Sequence, residues 1–362
     1  MRVLSAPRSF VLELLSVLAL PLLLVGCDAG SPRGGGGSDF TTNNCTIPTD
    51  RLQQGCPGAD CIPSIDNVTP DDRRLVAAGE VEGLTDTSRV IGVRLGDQTV
   101  AVPHSILWTH EVVNFDGWDG RSVAVTYCPL TGSSLGFDRG AIDGAELGVS
   151  GLLFDNNLVM YDRRDEESLW PQMNRQANCG ASVGTTLDMV PVVEMRWPEW
   201  AALHPDTKVL TDGRGFSRRY PYGDYEALND PPFNGMSFDE RRPPKERVLG
   251  IPAGDDGGVA VPFRALDAEG AVRVVSVAAG GTQKTVFWDR EAEAAAAFET
   301  TDNFSVQDGR IVDDATGSTW TVTGIAVDGP RQGERLAPVN EAYVAFWFAW
   351  AAFQPETTLW TN

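Results

Sequence analysis

The chain contains 362 residues, of which 42% are hydrophobic, and it carries a formal net charge of -21 at pH 7. This length and apolar content suffice for two domains of ordinary size with buried cores. Nucleic acid and anionic lipid surfaces are excluded as electrostatic partners, because phosphate binding requires a basic face and the arginines do not cluster into one.

The N-terminus has the charge order of a secretory signal. Arg2 and Arg8 precede an apolar run at residues 14–25 that is short for a membrane span. The run ends in LVGC, which resembles the bacterial lipobox and would make Cys27 the lipidated residue. We therefore expect residues 1–26 to be a lipoprotein signal peptide and the acyl chains to anchor an exported protein to a lipid bilayer, at a periplasmic or cell-surface face. An ordinary signal peptide with an incidental cysteine is the alternative.

Residues 27–69 are predicted to form a Gly-rich tether followed by a cysteine-stapled arm. Export places the five cysteines after Cys27 in an oxidising compartment. Because five is an odd number, at least one of them stays free or pairs with another chain. Cys45, Cys56 and Cys61 crowd into the arm, and we expect Cys45 to pair with Cys56 or Cys61, although spacing alone does not fix the pairing.

The next segments have strand character. Residues 90–103 alternate apolar and polar side chains around a Gly-Asp turn, which predicts a hairpin. Residues 121–127 and 134–137 favour strands on either side of a Pro/Gly turn, and residues 151–163 predict a second hairpin.

A helix is predicted from residue 197, because Pro198 fits its first turn and Pro205 ends it. The segment at residues 196–210 matches residues 346–360 without a gap, with tryptophans and prolines aligned. This repeat predicts an α+β fold, mainly antiparallel β, with two homologous β-rich units that are each closed by a Trp-rich helix. The units cover residues 70–212 and 247–362, and a Pro/Tyr/Arg-rich connection covers residues 213–246.

Differences between the two units indicate where a function specific to one of them lies. His104 aligns with Phe263, Cys128 falls about where Asp289 stands, and the second unit has no counterpart of the HEVVN segment that begins at His110. The shared tryptophans are best interpreted as core residues. Polar chemistry is therefore predicted in the first unit.

The candidate site comprises His110, Glu111, His104 and Cys128. A thiolate and an imidazole together suit copper or zinc, and a neighbouring imidazole can also activate a thiol as a nucleophile. In the alternative interpretation, Cys128 is a buried hydrophobic residue or the disulfide partner of Cys179, and His110 is a hydrogen-bonded strand residue.

Several unusual motifs run along the chain: IPSIDN at residues 62–67, HEVVN at 110–114, TYCPLTGS at 126–133, FDR at 137–139, SGLLFDNNLVMYDR at 150–163, SLW at 168–170 and PYGDY at 221–225. In combination they resemble the prokaryotic family catalogued as domain of unknown function 3179. Many members carry CPLC where this chain has Thr131 in place of the second cysteine, which weakens a CxxC-type zinc or dithiol site. The resemblance implies an extracytoplasmic protein and supplies no reaction.

These features favour a membrane-anchored lipoprotein that acts as a binding or accessory protein, with a metal site in the first unit. A cysteine-dependent enzyme or thiol-redox protein is one alternative. A disulfide-stabilised surface interaction module is the other.

Overall fold

The computed structural model describes residue 40, residues 44–254 and residues 257–361. The predicted signal peptide at residues 1–26, the lipidation site Cys27 and the Gly-rich tether lie outside the described residues. Within the described part, no helix has the length and apolar character needed to cross a membrane.

Strands dominate the described residues, and the helices are few and short. The α-helices are α1 (His104–Leu107), α2 (Trp197–Leu203), α3 (Phe263–Ala268) and α4 (Trp347–Phe353). The strands in chain order are β1 (Leu52–Gln54), β2 (Ile65–Val68), β3 (Leu75–Ala77), β4 (Arg89–Leu95), β5 (Gln98–Pro103), β6 (Val112–Trp118), β7 (Arg121–Cys128), β8 (Ser133–Asp138), β9 (Leu147–Phe154), β10 (Asn157–Asp162), β11 (Ser168–Pro171), β12 (Cys179–Gly180), β13 (Met189–Val190), β14 (Val192–Arg196), β15 (Lys208–Leu210), β16 (Arg247–Ile251), β17 (Val259–Pro262), β18 (Val272–Ala279), β19 (Thr282–Asp289), β20 (Ala294–Glu299), β21 (Phe304–Gln307), β22 (Arg310–Asp313), β23 (Thr319–Trp320), β24 (Ala326–Asp328), β25 (Ala337–Pro338), β26 (Tyr343–Phe346) and β27 (Thr358–Leu359).

These strands form five sheets. Their strand orders are β1-β9-β10-β11-β12, β14-β4-β5-β15-β3, β18-β19-β20-β25, β21-β22-β23-β24, and the nine-stranded β2-β6-β7-β8-β26-β16-β17-β27 with β13 also paired to β8. Among the strand pairings of the described residues, only three are parallel: β2 with β6, β5 with β15, and β17 with β27. The predicted mainly antiparallel β character with few helices is confirmed.

Two sets of four strands share one order. The set β14-β4-β5-β15 has the same pairing directions as the set β26-β16-β17-β27, and in each set the first strand leads directly into a helix, α2 or α4. The second set joins the strands of the first part of the chain through one register pair, Ser134 of β8 with Val344 of β26. One continuous sheet therefore connects the two predicted units.

Each of these two helices packs an indole onto a glycine, Trp200 onto Gly92 and Trp350 onto Gly250. Trp200 Nε1 donates to Thr207 Oγ1 at 3.0 Å, and Trp350 Nε1 donates to Thr357 Oγ1 at 2.8 Å. Both indoles are buried, which agrees with their interpretation as core residues. Trp197, in contrast, is only partly buried at the start of α2.

Disulfides join Cys45 to Cys179 and Cys56 to Cys61, and Cys128 is the free cysteine of the described residues. The expectation that Cys45 pairs within the arm was wrong, as was the alternative that Cys128 pairs with Cys179. The reason is that the arm runs beside β12, where the Thr46 N–H donates to the Asn178 carbonyl at 2.8 Å. The prediction that one cysteine remains free is confirmed, and the disulfides indicate an oxidising, extracytoplasmic environment.

Candidate functional site

His110 ties three segments together. Its Nδ1–H donates to the Pro63 carbonyl at 2.7 Å, while Nε2 accepts from Arg214 at 2.9 Å and lies 3.2 Å from Asp212 Oδ2. The ring thus links the N-terminal arm to the segment that follows β15. Both of its nitrogens are engaged by protein groups.

Cys128 is buried at the end of β7, with 1% of its surface exposed. Its sulfur lies 3.7 Å from the Asn156 carbonyl and accepts the Leu158 N–H at 3.3 Å. Burial raises the pKa of the thiol to about 11. Activated cysteines lie in electropositive, partly exposed surroundings that lower the pKa, so this thiol has the opposite environment.

Glu111 is also buried, and its backbone is left-handed with φ of 57°. Such a φ is uncommon outside glycine, and β6 begins only after this residue, at Val112. Burial raises the pKa of the Glu111 carboxyl to about 8. The Tyr127 N–H donates to the Glu111 carbonyl at 2.8 Å, which places the Glu111 backbone beside the end of β7 that carries Cys128.

The four predicted metal ligands do not form one site. His104 lies against Tyr127 and Glu194, away from the partners of His110 and Cys128. Across residues 44–254 and 257–361, no group of three or more His, Cys, Asp or Glu side chains is arranged to hold a metal ion.

His104 instead lines a cleft of about 860 Å³, which we call the arginine cleft. Arg89 begins β4, His104 begins α1 and Arg247 begins β16, so the ends of three elements meet there. Six of its lining residues carry the argument that follows: Arg89, His104, Ser105, Trp108, Glu226 and Arg247.

Glu194 lies beneath the arginine cleft and pairs with two of its four arginines, Arg89 and Arg247. Its Oε1 is 3.2 Å from Arg89 and 2.6 Å from Arg247, and its Oε2 accepts from Ser134 at 2.7 Å. Burial opposes ionisation of this carboxyl, but the charges of Arg247 and Arg89 and the hydrogen bond from Ser134 lower its pKa to about 2. The buried pairs are hydrogen-bonded, which is the condition for keeping such charges out of water.

The two arginines occupy the same register position in their hairpins. Arg89 lies opposite Arg196 on β14, and Arg247 lies opposite Phe346 on β26. In each case the partner is the residue directly before the Trp-rich helix. The shared strand order therefore brings two equivalent arginines to one glutamate.

Several polar atoms of the arginine cleft lack a hydrogen-bond partner. His104 is 1% exposed and neither ring nitrogen is hydrogen-bonded, since the nearest carboxylate oxygen, Glu194 Oε2, is 3.6 Å away. Burial lowers the pKa of His104 to about 3, so its ring is neutral. Ser105 Oγ, Trp108 Nε1 and Arg247 Nε are also unpaired. Buried polar groups are usually satisfied, so this concentration in one place calls for an explanation.

The segment after β15 forms one side of the arginine cleft. Glu226 Oε2 pairs with Arg89 at 2.6 Å, and the Tyr127 hydroxyl donates to Glu226 Oε1 at 3.4 Å. Arg218 also lines the cleft, and it pairs with Asp212, the partner of His110. His110 therefore does not line the cleft. It is connected to the cleft through Asp212 and Arg218.

Sequence reasoning found His104 and missed Arg89, Glu194 and Arg247. Two signals were present. A glutamate stands in the apolar strand VVEMR. The two arginines align when the repeat is extended upstream from His104 and Phe263 with one additional residue in the turn of the second unit.

Comparison with known proteins gives one match. Residues 59–357 match the family described as "Protein of unknown function (DUF3179)". No curated protein and no solved structure matches the chain.

Proposed function

The chain belongs to the DUF3179 family, whose description assigns no activity, and from this premise we propose that it binds a small polar solute in the arginine cleft. The observation that carries the proposal is the group of unpaired polar atoms on His104, Ser105, Trp108 and Arg247. These atoms have almost no exposed surface, so a ligand reaches them through a small rotation of the side chains that line the cleft. The hydrogen bonds formed in this way would remove the cost of leaving the atoms unsatisfied, which is about 1–3 kcal/mol for each group.

The charges around the arginine cleft indicate what kind of solute fits. Four cationic side chains are matched by four anionic ones, so the cleft has little net charge to attract a simple ion. It offers donors and acceptors together, which suits a neutral polyhydroxylated or a zwitterionic molecule. The eight side chains are Arg89, Arg196, Arg218, Arg247, Glu194, Asp224, Glu226 and Glu293.

We also propose that the protein is an exported lipoprotein whose Cys27 carries the membrane anchor. The LVGC sequence and the two disulfides support this. Labelling of expressing cells with a radioactive fatty acid should mark the wild-type protein and leave Cys27→Ala unmarked. Equal labelling of the two proteins would contradict the assignment.

The shared strand orders support a further proposal, that residues 70–212 and 247–362 are two related units joined by residues 213–246. The repeated Trp–Thr hydrogen bonds, Trp200 with Thr207 and Trp350 with Thr357, support the same relation. Because the two units are related, we expect a residue of one unit to be tolerated at the corresponding position of the other.

His104→Phe is such a substitution, because Phe263 stands at the corresponding position. The matched control is His204→Gln, which replaces a histidine outside the arginine cleft by its counterpart Gln354. The probes are trehalose, diglycine, citrate and spermidine, representing a neutral, a zwitterionic, an anionic and a cationic solute.

We expect trehalose or diglycine to raise the thermal unfolding midpoint of the wild type and of His204→Gln, and to leave that of His104→Phe unchanged. A ligand at a hundred times its Kd adds about 2.7 kcal/mol to the free energy of unfolding. If His104→Phe responds like the wild type, or if neither trehalose nor diglycine binds by calorimetry, the proposal is wrong.

A further inference from the structure

A second pocket of about 950 Å³ adjoins the arginine cleft. Arg196, Arg247 and Glu293 line both spaces, so the two lie side by side with a common charged wall. Arg247 contacts both sides of this wall, because it pairs with Glu194 beneath the arginine cleft and its guanidinium lies 4.6 Å from the centre of the Phe263 ring.

The second pocket uses the same structural positions as the arginine cleft. Phe263 directly follows Pro262 at the start of α3, as His104 directly follows Pro103 at the start of α1. Trp288 is the penultimate residue of β19, as Tyr127 is of β7. The His104 and Tyr127 rings lie 4.3 Å apart and the Phe263 and Trp288 rings 4.9 Å apart.

The residues at these shared positions give the two spaces different chemistry. The first has an imidazole and a phenol, and the second has a benzyl ring and an indole. Leu228 and Val272 add further apolar surface to the second pocket. Charged side chains surround this apolar patch, Lys245, Arg264, Asp267 and Arg290 among them. Trp288 Nε1 is buried without a hydrogen-bond partner, so the patch itself offers one donor.

From this arrangement we propose that the two spaces form one groove for a short peptide, with its polar backbone and termini in the arginine cleft and an aromatic side chain against Phe263 and Trp288. The proposal rests on the proposed function and names its ligand class. A peptide alternates donors and acceptors and separates two terminal charges, which suits the paired arginines and carboxylates. A charged carboxylate is well bound by planar guanidinium groups, and an aromatic side chain packs favourably on the edge-to-face pair of Phe263 and Trp288.

The test compares Gly-Gly-Gly with Gly-Gly-Phe, two zwitterions of equal length that differ in one aromatic ring. Calorimetry on the full mature protein should give Gly-Gly-Phe an affinity at least tenfold higher. Phe263→His, which introduces the counterpart residue, should reduce that ratio to about one while leaving the affinity for Gly-Gly-Gly unchanged. Phe263→Leu provides a second variant that keeps apolar bulk if the histidine impairs folding, and Phe304→Leu, at a residue that lines neither space, should keep the wild-type ratio.

The outcomes separate the two proposals. Equal binding of both peptides, with both lost in His104→Phe, would overturn the groove and retain the arginine cleft as a site. Binding of trehalose without either peptide would also overturn the peptide groove alone. Failure of every probe in the wild type would overturn both proposals.

Discussion

Lys245 has an environment that few lysines share. It is 3% exposed, and its Nζ lies 3.0 Å from the centre of the Tyr225 ring and 4.9 Å from that of Phe348, with no hydrogen-bond partner. Burial lowers the pKa of its amine to about 7. Cation–π contacts offset part of the desolvation cost, which still outweighs them.

Replacement of Lys245 by methionine should therefore stabilise the protein at pH 7, by on the order of 1–2 kcal/mol. In the wild type the amine has a lower pKa folded than its usual 10.5 unfolded, so folding releases a proton between about pH 7 and 10.5 and stability rises with pH across that window. The advantage of the variant should shrink accordingly when urea unfolding is repeated at pH 10. Lys208→Met is the control, and an advantage for Lys245→Met that does not depend on pH would contradict the assignment.

The identities of the residues predicted only part of the site. The contrast between His104 and Phe263 identified a residue that lines the arginine cleft. His110 and Cys128 were chosen for their reactivity, but the structure surrounds both with protein partners. Glu194 contacts Arg89 and Arg247 only because strands that are distant in sequence pair with each other. A local sequence pattern does not show such a contact.

At the scale of elements, the indoles of α2 and α4 each require a glycine, without a Cβ atom, on the strand beneath them. A Cβ atom added to Gly92 would lie 2.0 Å from the Trp200 ring, and one added to Gly250 would lie 2.1 Å from the Trp350 ring. Neither approach is possible without displacement of the helix. These two glycines therefore set how closely the helices pack on their sheets.

Gly92→Ala should destabilise the protein by about 1–3 kcal/mol, the usual cost of overpacking a core. Gly79→Ala is the control, since a Cβ there would meet nothing within 4 Å. Both can be measured by denaturant unfolding. A loss no larger than that of the control would mean that α2 moves freely on its sheet.

Local patterns predicted the elements well. The hairpin at residues 90–103 is β4 with β5, the hairpin at residues 151–163 is β9 with β10, and the helix predicted from residue 197 is α2. The alternation of apolar and polar residues and the residues that favour turns depend only on neighbouring positions, so they can be recognised in the sequence. The contact between β8 and β26 depends on how two distant segments meet, so it was not predicted.

At the scale of the whole molecule, the Cys45–Cys179 disulfide closes a loop of 134 residues and the Cys56–Cys61 disulfide a loop of 5. Loop-closure entropy predicts that the first stabilises by about 5 kcal/mol and the second by about 2 kcal/mol. Serine pairs at each disulfide, compared by guanidinium unfolding, should preserve this order. A larger loss from the short disulfide would show that native contacts of the arm, and not loop closure, dominate.

The pairing of Ser134 on β8 with Val344 on β26 also delays completion of the sheet until the second strand has emerged. Roughly 200 residues separate the two strands, so a chain that is exported as it is made, at ~5–20 residues per second, delivers the second strand roughly 10–40 s after the first. Throughout that interval the Ser134 end of β8 is an open strand edge, and such edges pair readily with other chains. Exported chains that are crowded together should therefore misassemble at this edge, and the recoverable yield of folded protein should fall as the rate of expression rises.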